Sequence, residues 1–239
     1  MKYIKSYKLF EIINIPLWPE RQGNNNWVFP VMDWCYAIEN LKMVKIWNIG
    51  EYKGSWFRGK DVNCIFFHLN DLNYGWLDKP ENENWEIKLP ENYKEILQSG
   101  FEKYKLGVPI VKVHLVDYGD GLKVKVAGSN YKLIEELKIK SSAFNLYKSF
   151  VKETKKPIYS DSAQTAASRN AIWKKIVQDP DCEVVGYDQK TGEEFNIEEK
   201  NGEFIINNTQ PIYFGSTSDS TKNDKRRERT RLIKLKSVK

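Results

Sequence analysis

PIVKVHLVDYGDGLKVKVAG, residues 109–128, decides the fold class of this chain. Val111, Val113 and Leu115 alternate onto one side of a strand, Gly-Asp-Gly supplies a tight turn, and Leu122, Val124 and Val126 alternate along a returning strand. A period of two on both sides of a glycine turn specifies an antiparallel hairpin. His114 lies between the apolar positions and is expected on the other face, as a surface or hydrogen-bonded histidine.

Outward from the hairpin toward the C-terminus, the pattern changes period repeatedly. YKLIEELKI, 131–139, fits a strand or a helical turn. SSAFNLYKSFVKE then offers Ser141 and Ser142 as N-caps, with Phe144, Tyr147, Phe150 and Val151 at helical spacing. PIYS is a short strand, AASRNAIWKKIV a second helix, and CEVVGYD a strand after the Pro180-Asp181 turn. Residues 192–213 read as a second hairpin around Asn201-Gly202. Helices alternating with strands over so short a span require a sheet with helical cover, hence a mixed α/β fold of the α+β kind.

Toward the N-terminus, residues 1–108 alternate short apolar segments with polar turns. A short helix is expected around Trp34 to Leu41, strands at MVKIW (43–47) and VNCIFFHL (62–69), loops over 70–92, and a helix in YKEILQSGFEKYKLG broken or capped near Gly100. Seven of the eight tryptophans, all but Trp173, fall within the first 85 residues, which marks this region as an aromatic-rich elaboration. The domain plan is therefore 1–108, possessing that elaboration, 109–215, and a linker with a basic tail at 216–239.

Composition narrows the function classes. At 41% hydrophobic and 13% aromatic residues, the chain has material for a sizeable core. No apolar run approaches the roughly 18 residues of a spanning helix, so no membrane partner is expected. Cys35, Cys64 and Cys182 are odd in number and widely spaced, which fits reduced thiols in a cytoplasm and predicts no metal site. The net charge of +6 is concentrated in Lys225, Arg226, Arg227, Arg229, Arg231, Lys234, Lys236 and Lys239, opposed by Glu228. Such a run could hold nucleic acid through its phosphates, dock on an acidic protein, or serve as a solvated terminus.

The order of elements, and Leu146, Tyr147, Ser160, Asp161, Gln164, Thr165 and Trp173 within residues 141–176, resemble the Gcn5-related N-acetyltransferase superfamily, in a form similar to phage-encoded variants. The resemblance implies an acetyltransferase-like central mixed sheet flanked by helices. It also implies a coenzyme A pyrophosphate site at a glycine-rich turn before a helix, where this chain has Lys140, Ser141, Ser142 and Ala143 and no glycine. Tyr147 and Asp161 are the residues it offers as catalytic acid and polar partner, with backbone N–H donors around residues 136–139. Two functions follow. One is a non-catalytic phage protein, without cofactor, acting in binding or virion assembly through a protein partner or its own copies, in the host cytoplasm or on the virion. The other is an N-acyltransferase using acetyl-coenzyme A. A third, nucleic-acid binding, would rest on the basic run from Lys225 to Lys239.

Overall fold

The computed structural model describes residues 28–69, 91–136, 138–139, 142–161, 172–200, 203–206, 210–211 and 231–239. It is a mixed α+β structure. Its larger sheet has nine strands in the order 42–49, 52–58, 63–69, 109–118, 121–129, 158–159, 231–238, 182–188 and 194–195, and a smaller one is ordered 210–211, 203–206 and 197–200. The chain gathers into two compact units, Met1–Leu115 with Val126–Leu146, and Val116–Lys125 with Tyr147–Lys239. The boundary expected at residue 108 falls inside the first unit, and the predicted hairpin contributes to both.

In the first unit, helix α1 (Val28–Asn40) leads into strands β1 (Lys42–Ile49), β2 (Tyr52–Arg58) and β3 (Asn63–Leu69), paired antiparallel in sequence order. Helix α2 (Tyr93–Tyr104) follows, and β4 (Pro109–Tyr118) pairs antiparallel with β3. Val31, Trp34, Cys35, Phe57, Phe66, Ile96 and Leu97 form one buried cluster. Trp34 is its centre, meeting Phe57 and Phe66 edge-on at centroid separations of 5.3 Å, the geometry that the ring quadrupoles favour. The helix expected to break at Gly100 runs on to Tyr104, because Gly100 is where α2 passes against Ile38 of α1 and a side chain has no room. Its absent Cβ serves packing rather than termination.

The hairpin is formed as predicted, by β4 and β5 (Gly121–Ser129). Gly119 takes φ +53° in its turn, and Gly121 lies against the Pro157 carbonyl, which accepts the Leu122 amide at 3.0 Å. Val111, Val113 and Leu115 are fully buried, and so is Lys112 on the opposite face, while His114 is half-buried. The ambiguous 131–139 segment resolves into helix α3 (Tyr131–Glu136), whose first turn closes with Ile134 N–H donating to Asn130 O at 2.9 Å. Leu133 and Ile134 are followed by two adjacent glutamates, so strand alternation fails there while one helical turn is still satisfied.

The second unit holds most of helix α4 (Ala143–Thr154), strand β6 (Ile158–Tyr159), helix α5 (Lys174–Gln178), β7 (Cys182–Asp188) and β8 (Glu194–Phe195). Strands β9 (Ile197–Lys200), β10 (Glu203–Ile206) and β11 (Gln210–Pro211) make the small antiparallel sheet. The predicted second hairpin corresponds to β9 and β10, and its Asn201-Gly202 turn lies outside the described residues, as does the 216–224 linker. β6 runs parallel to β5 with Leu122 opposite Ile158 and Lys123 opposite Tyr159.

One expectation is overturned. Residues 231–238, read as part of a basic tail, form strand β12 (Arg231–Val238), inserted antiparallel between β6 and β7. Leu232, Ile233 and Leu235 are fully buried there. Counting charge hid the pattern: in RLIKLKSV the apolar residues drive burial, and Asp120, Glu183 and Glu194 neutralise Lys234 and Lys236.

Candidate functional site

The residues singled out by the resemblance are placed as follows. Tyr147 is 1% exposed, packed on Trp173 with ring centroids 5.5 Å apart. Burial, with the charge of Asp161 second, pushes its phenol well above the ordinary tyrosine range, so it holds its proton inside the core. Asp161 is half-buried just past β6. The preceding Ser160 is spent on the sheet: its hydroxyl accepts the Ile233 amide at 3.0 Å and donates to Asp161 O at 3.2 Å. Ala143 opens α4 and is buried, and Ser142 immediately precedes it, its carbonyl accepting the Leu146 amide at 3.3 Å. Lys140, Ser141, Gln164 and Thr165 lie outside the described residues. The backbone donors expected on a strand near 136–139 belong instead to the end of α3, where Lys138 and Ile139 donate to Glu135 O and Ile134 O at 3.3 and 2.9 Å. Those N–H groups are committed to closing the helix, not to an oxyanion.

Two polar pairs are set into the core of the first unit. On adjacent strands β2 and β3, Ser55 and His68 are both fully buried, Oγ to Nε2 at 2.5 Å, while Nδ1 meets Gly107 O at 3.2 Å. A carbonyl can only accept, so Nδ1 carries the proton and donates, and Nε2 accepts from the Ser55 hydroxyl. Desolvation lowers the His68 pKa to about 3, which keeps the ring neutral. The arrangement has the donor order of a serine–histidine pair, but Trp34 caps the imidazole at a centroid distance of 4.4 Å. The second pair joins α1 to β4: Lys112 Nζ donates to Asp33 Oδ2 at 2.5 Å, at 1% and 6% side-chain exposure, and lies 4.5 Å over the Phe29 ring. Burial raises the Asp33 pKa against the opposing pull of Lys112. The same burial lifts the neighbouring Cys64 thiol to about 12, leaving it unreactive.

The second unit carries an aromatic and ionic cluster that is partly open to solvent. Tyr118, Tyr159 and Tyr187 meet edge-on, with centroids 4.9 Å apart for Tyr118 and Tyr159 and 5.1 Å for Tyr159 and Tyr187. Lys234 of β12 reaches over Tyr159 and Tyr187 at 5.1 and 5.7 Å. Its ammonium donates to Asp120 Oδ2 at 3.0 Å and Glu194 Oε1 at 2.9 Å. The Tyr159 hydroxyl donates to the other Asp120 oxygen. Burial works against the Lys234 charge, yet its hydrogen bonds to Tyr159, Glu194 and Asp120 raise its pKa above the ordinary lysine range, so the ion is permanent. Beside it, Lys123 Nζ donates to Gln189 Oε1 at 2.9 Å and lies 5.2 Å over the Tyr118 ring, whose hydroxyl reaches the same oxygen at 3.4 Å.

Sequence reasoning passed over this cluster for identifiable reasons. Tyr118 and Asp120 sit in YGDG, read only as a hairpin link, and Lys234 was counted as tail charge. The alternation of RLIKLKSV was the signal that could have placed Lys234 in a sheet. Among the described residues, no three His, Cys, Asp or Glu side chains gather as metal ligands, and no helix is long and apolar enough to cross a membrane. No protein-family model matches the chain, and neither does any curated protein or solved structure.

Proposed function

We propose that this chain is a non-catalytic protein on an acetyltransferase-like frame, acting through protein contacts. The observation that carries this reading is the placement of Tyr147: the tyrosine that the resemblance offers as catalytic acid is sealed against Trp173 with its proton retained, although Asp161 is only half-buried. The same holds for the polar pairs in the core of the first unit, since Ser55 and His68, and Asp33 and Lys112, are buried and paired with each other. A group that is both desolvated and satisfied stabilises a shape; catalysis needs one presented to a substrate.

An N-acyltransferase is the second reading, and the β5/β6 pair favours it. These neighbouring strands are parallel, with Leu122 opposite Ile158 and Lys123 opposite Tyr159. The resemblance puts the pantetheine arm of coenzyme A in a splay between two central strands. Calorimetric titration of the full chain with acetyl-coenzyme A separates the two readings. Absence of heat at high ligand concentration, with folding checked by circular dichroism, is the expected result; a saturable one-to-one signal overturns the non-catalytic reading.

A further inference from the structure

Three lysines of the second unit sit against carboxylates. Lys148 donates to Asp179 at 2.5 Å, Lys234 is held by Asp120 and Glu194, and Lys236 lies 3.0 Å from Glu194 and 3.1 Å from Glu183. Each of these has a carboxylate that stabilises its positive charge. Lys123 is met instead by the amide oxygen of Gln189 and the ring of Tyr118. An amide oxygen orients an ammonium without a charge of its own, and the carboxylate whose charge acts on Lys123 is that of Asp161.

We propose that Lys123 is a covalent modification site that accepts an acyl group from an acyl thioester. It is half-buried, with Nζ held by the Gln189 oxygen over the Tyr118 ring. Tyr118 from β4, Tyr159 from β6 and Gln189 beyond β7 surround it, and Lys125 shares its strand. Desolvation lowers its proton affinity, the charge of Asp161 opposes this, and Lys125 adds to the lowering; the net direction is down. Thioesters suit such a group because they resist water yet react with neutral amines. The Nζ lone pair attacks the thioester carbonyl carbon, a C–N bond forms as the C–S bond breaks, and the departing thiolate takes up the proton that nitrogen loses. The amide product keeps one N–H to donate to Gln189. The reaction requires no coenzyme site in this chain and so stands apart from the contact function.

The test is incubation of the full chain with S-acetyl-N-acetylcysteamine across pH 7–10, with acetylation at Lys123, Lys148, Lys234, Lys236 and the exposed Lys103 followed by peptide mass spectrometry. Lys123 is expected to outpace Lys234 severalfold at pH 8, with a rate that levels off at lower pH than that of Lys236. Gln189→Glu places a carboxylate at the nitrogen and is expected to slow Lys123 about tenfold, the effect of one unit of pKa, leaving Lys103 unchanged. Labelling of Lys123 no faster than Lys234, or with the pH profile of Lys236, overturns the proposal, and the unmodified chain decides this even where the variant is unstable.

Discussion

At the scale of single residues, the first unit stakes stability on polar atoms in an apolar core. His68 is the most testable. Its pKa is about 3 when folded against an ordinary 6.5, so the unfolded chain binds a proton in that window and the folded chain does not. Stability contributed by neutral His68 is thus fully present above pH 6.5 and falls as pH drops toward 3, by about 1.4 kcal/mol per unit. Urea titrations at pH 7 and pH 5 should show this slope in the native chain and lose it in His68→Leu. Asp33 acts with the opposite sign, since its raised pKa favours proton uptake by the folded state, and comparing the two chains cancels it. The Asp33 and Lys112 pair obeys a different rule. Removing either partner strands a charge in the core, so Asp33→Leu or Lys112→Met alone should cost about 3–5 kcal/mol, and the double variant should recover most of it. Denaturant midpoints across the four chains measure that coupling, and additive losses would contradict it.

At the scale of elements, legibility followed periodicity. The hairpin could be read from alternation about a glycine turn, β3 from its run of aromatic and branched residues and β7 from the Pro180-Asp181 turn before it, all of them local properties. The continuation of α2 through Gly100 and the burial of β12 were not legible, because each depends on a surface brought in from elsewhere: Ile38 in one case, β6 and β7 in the other. Gly121 is a similar case. Sequence marks it as half of a turn, whereas the structure sets it against the backbone carbonyl of Pro157, where a Cβ cannot fit. Backbone yields less readily than a side-chain end, so Gly121→Ala should strain the start of β5 and its parallel pairing with β6, costing about 1–3 kcal/mol. A thermal melt of that variant matching the native chain would show that β5 shifts without penalty.

At the scale of the whole molecule, the candidate residues taken from the resemblance were the least informative part of the sequence. Tyr147 packs into the core and Ser142 precedes a helix, while the cluster around Lys234 and Lys123 assembles from β4, β5, β6, β7, β8 and β12, strands far apart in the chain. Sequence proximity could not reveal it. Charge has to be read in the same way. The net +6 suggested a basic terminus able to hold phosphates, yet Arg231 lies 3.6 Å from Asp188, and Lys234 and Lys236 meet Glu194 at 2.9 and 3.0 Å. A cation already neutralised contributes little to polyanion binding, because losing its carboxylate offsets what a new phosphate would gain. Retention of the chain on immobilised heparin should therefore depend on residues ahead of β12. Replacing Arg226, Arg227 and Arg229 together with Gln should lower the eluting salt concentration clearly, while Lys236→Gln should leave it nearly unchanged. Equal effects per charge removed would mean that the ion pairs of β12 open to polyanions, and that the C-terminal charge acts as one run despite being divided between a strand and the segment before it.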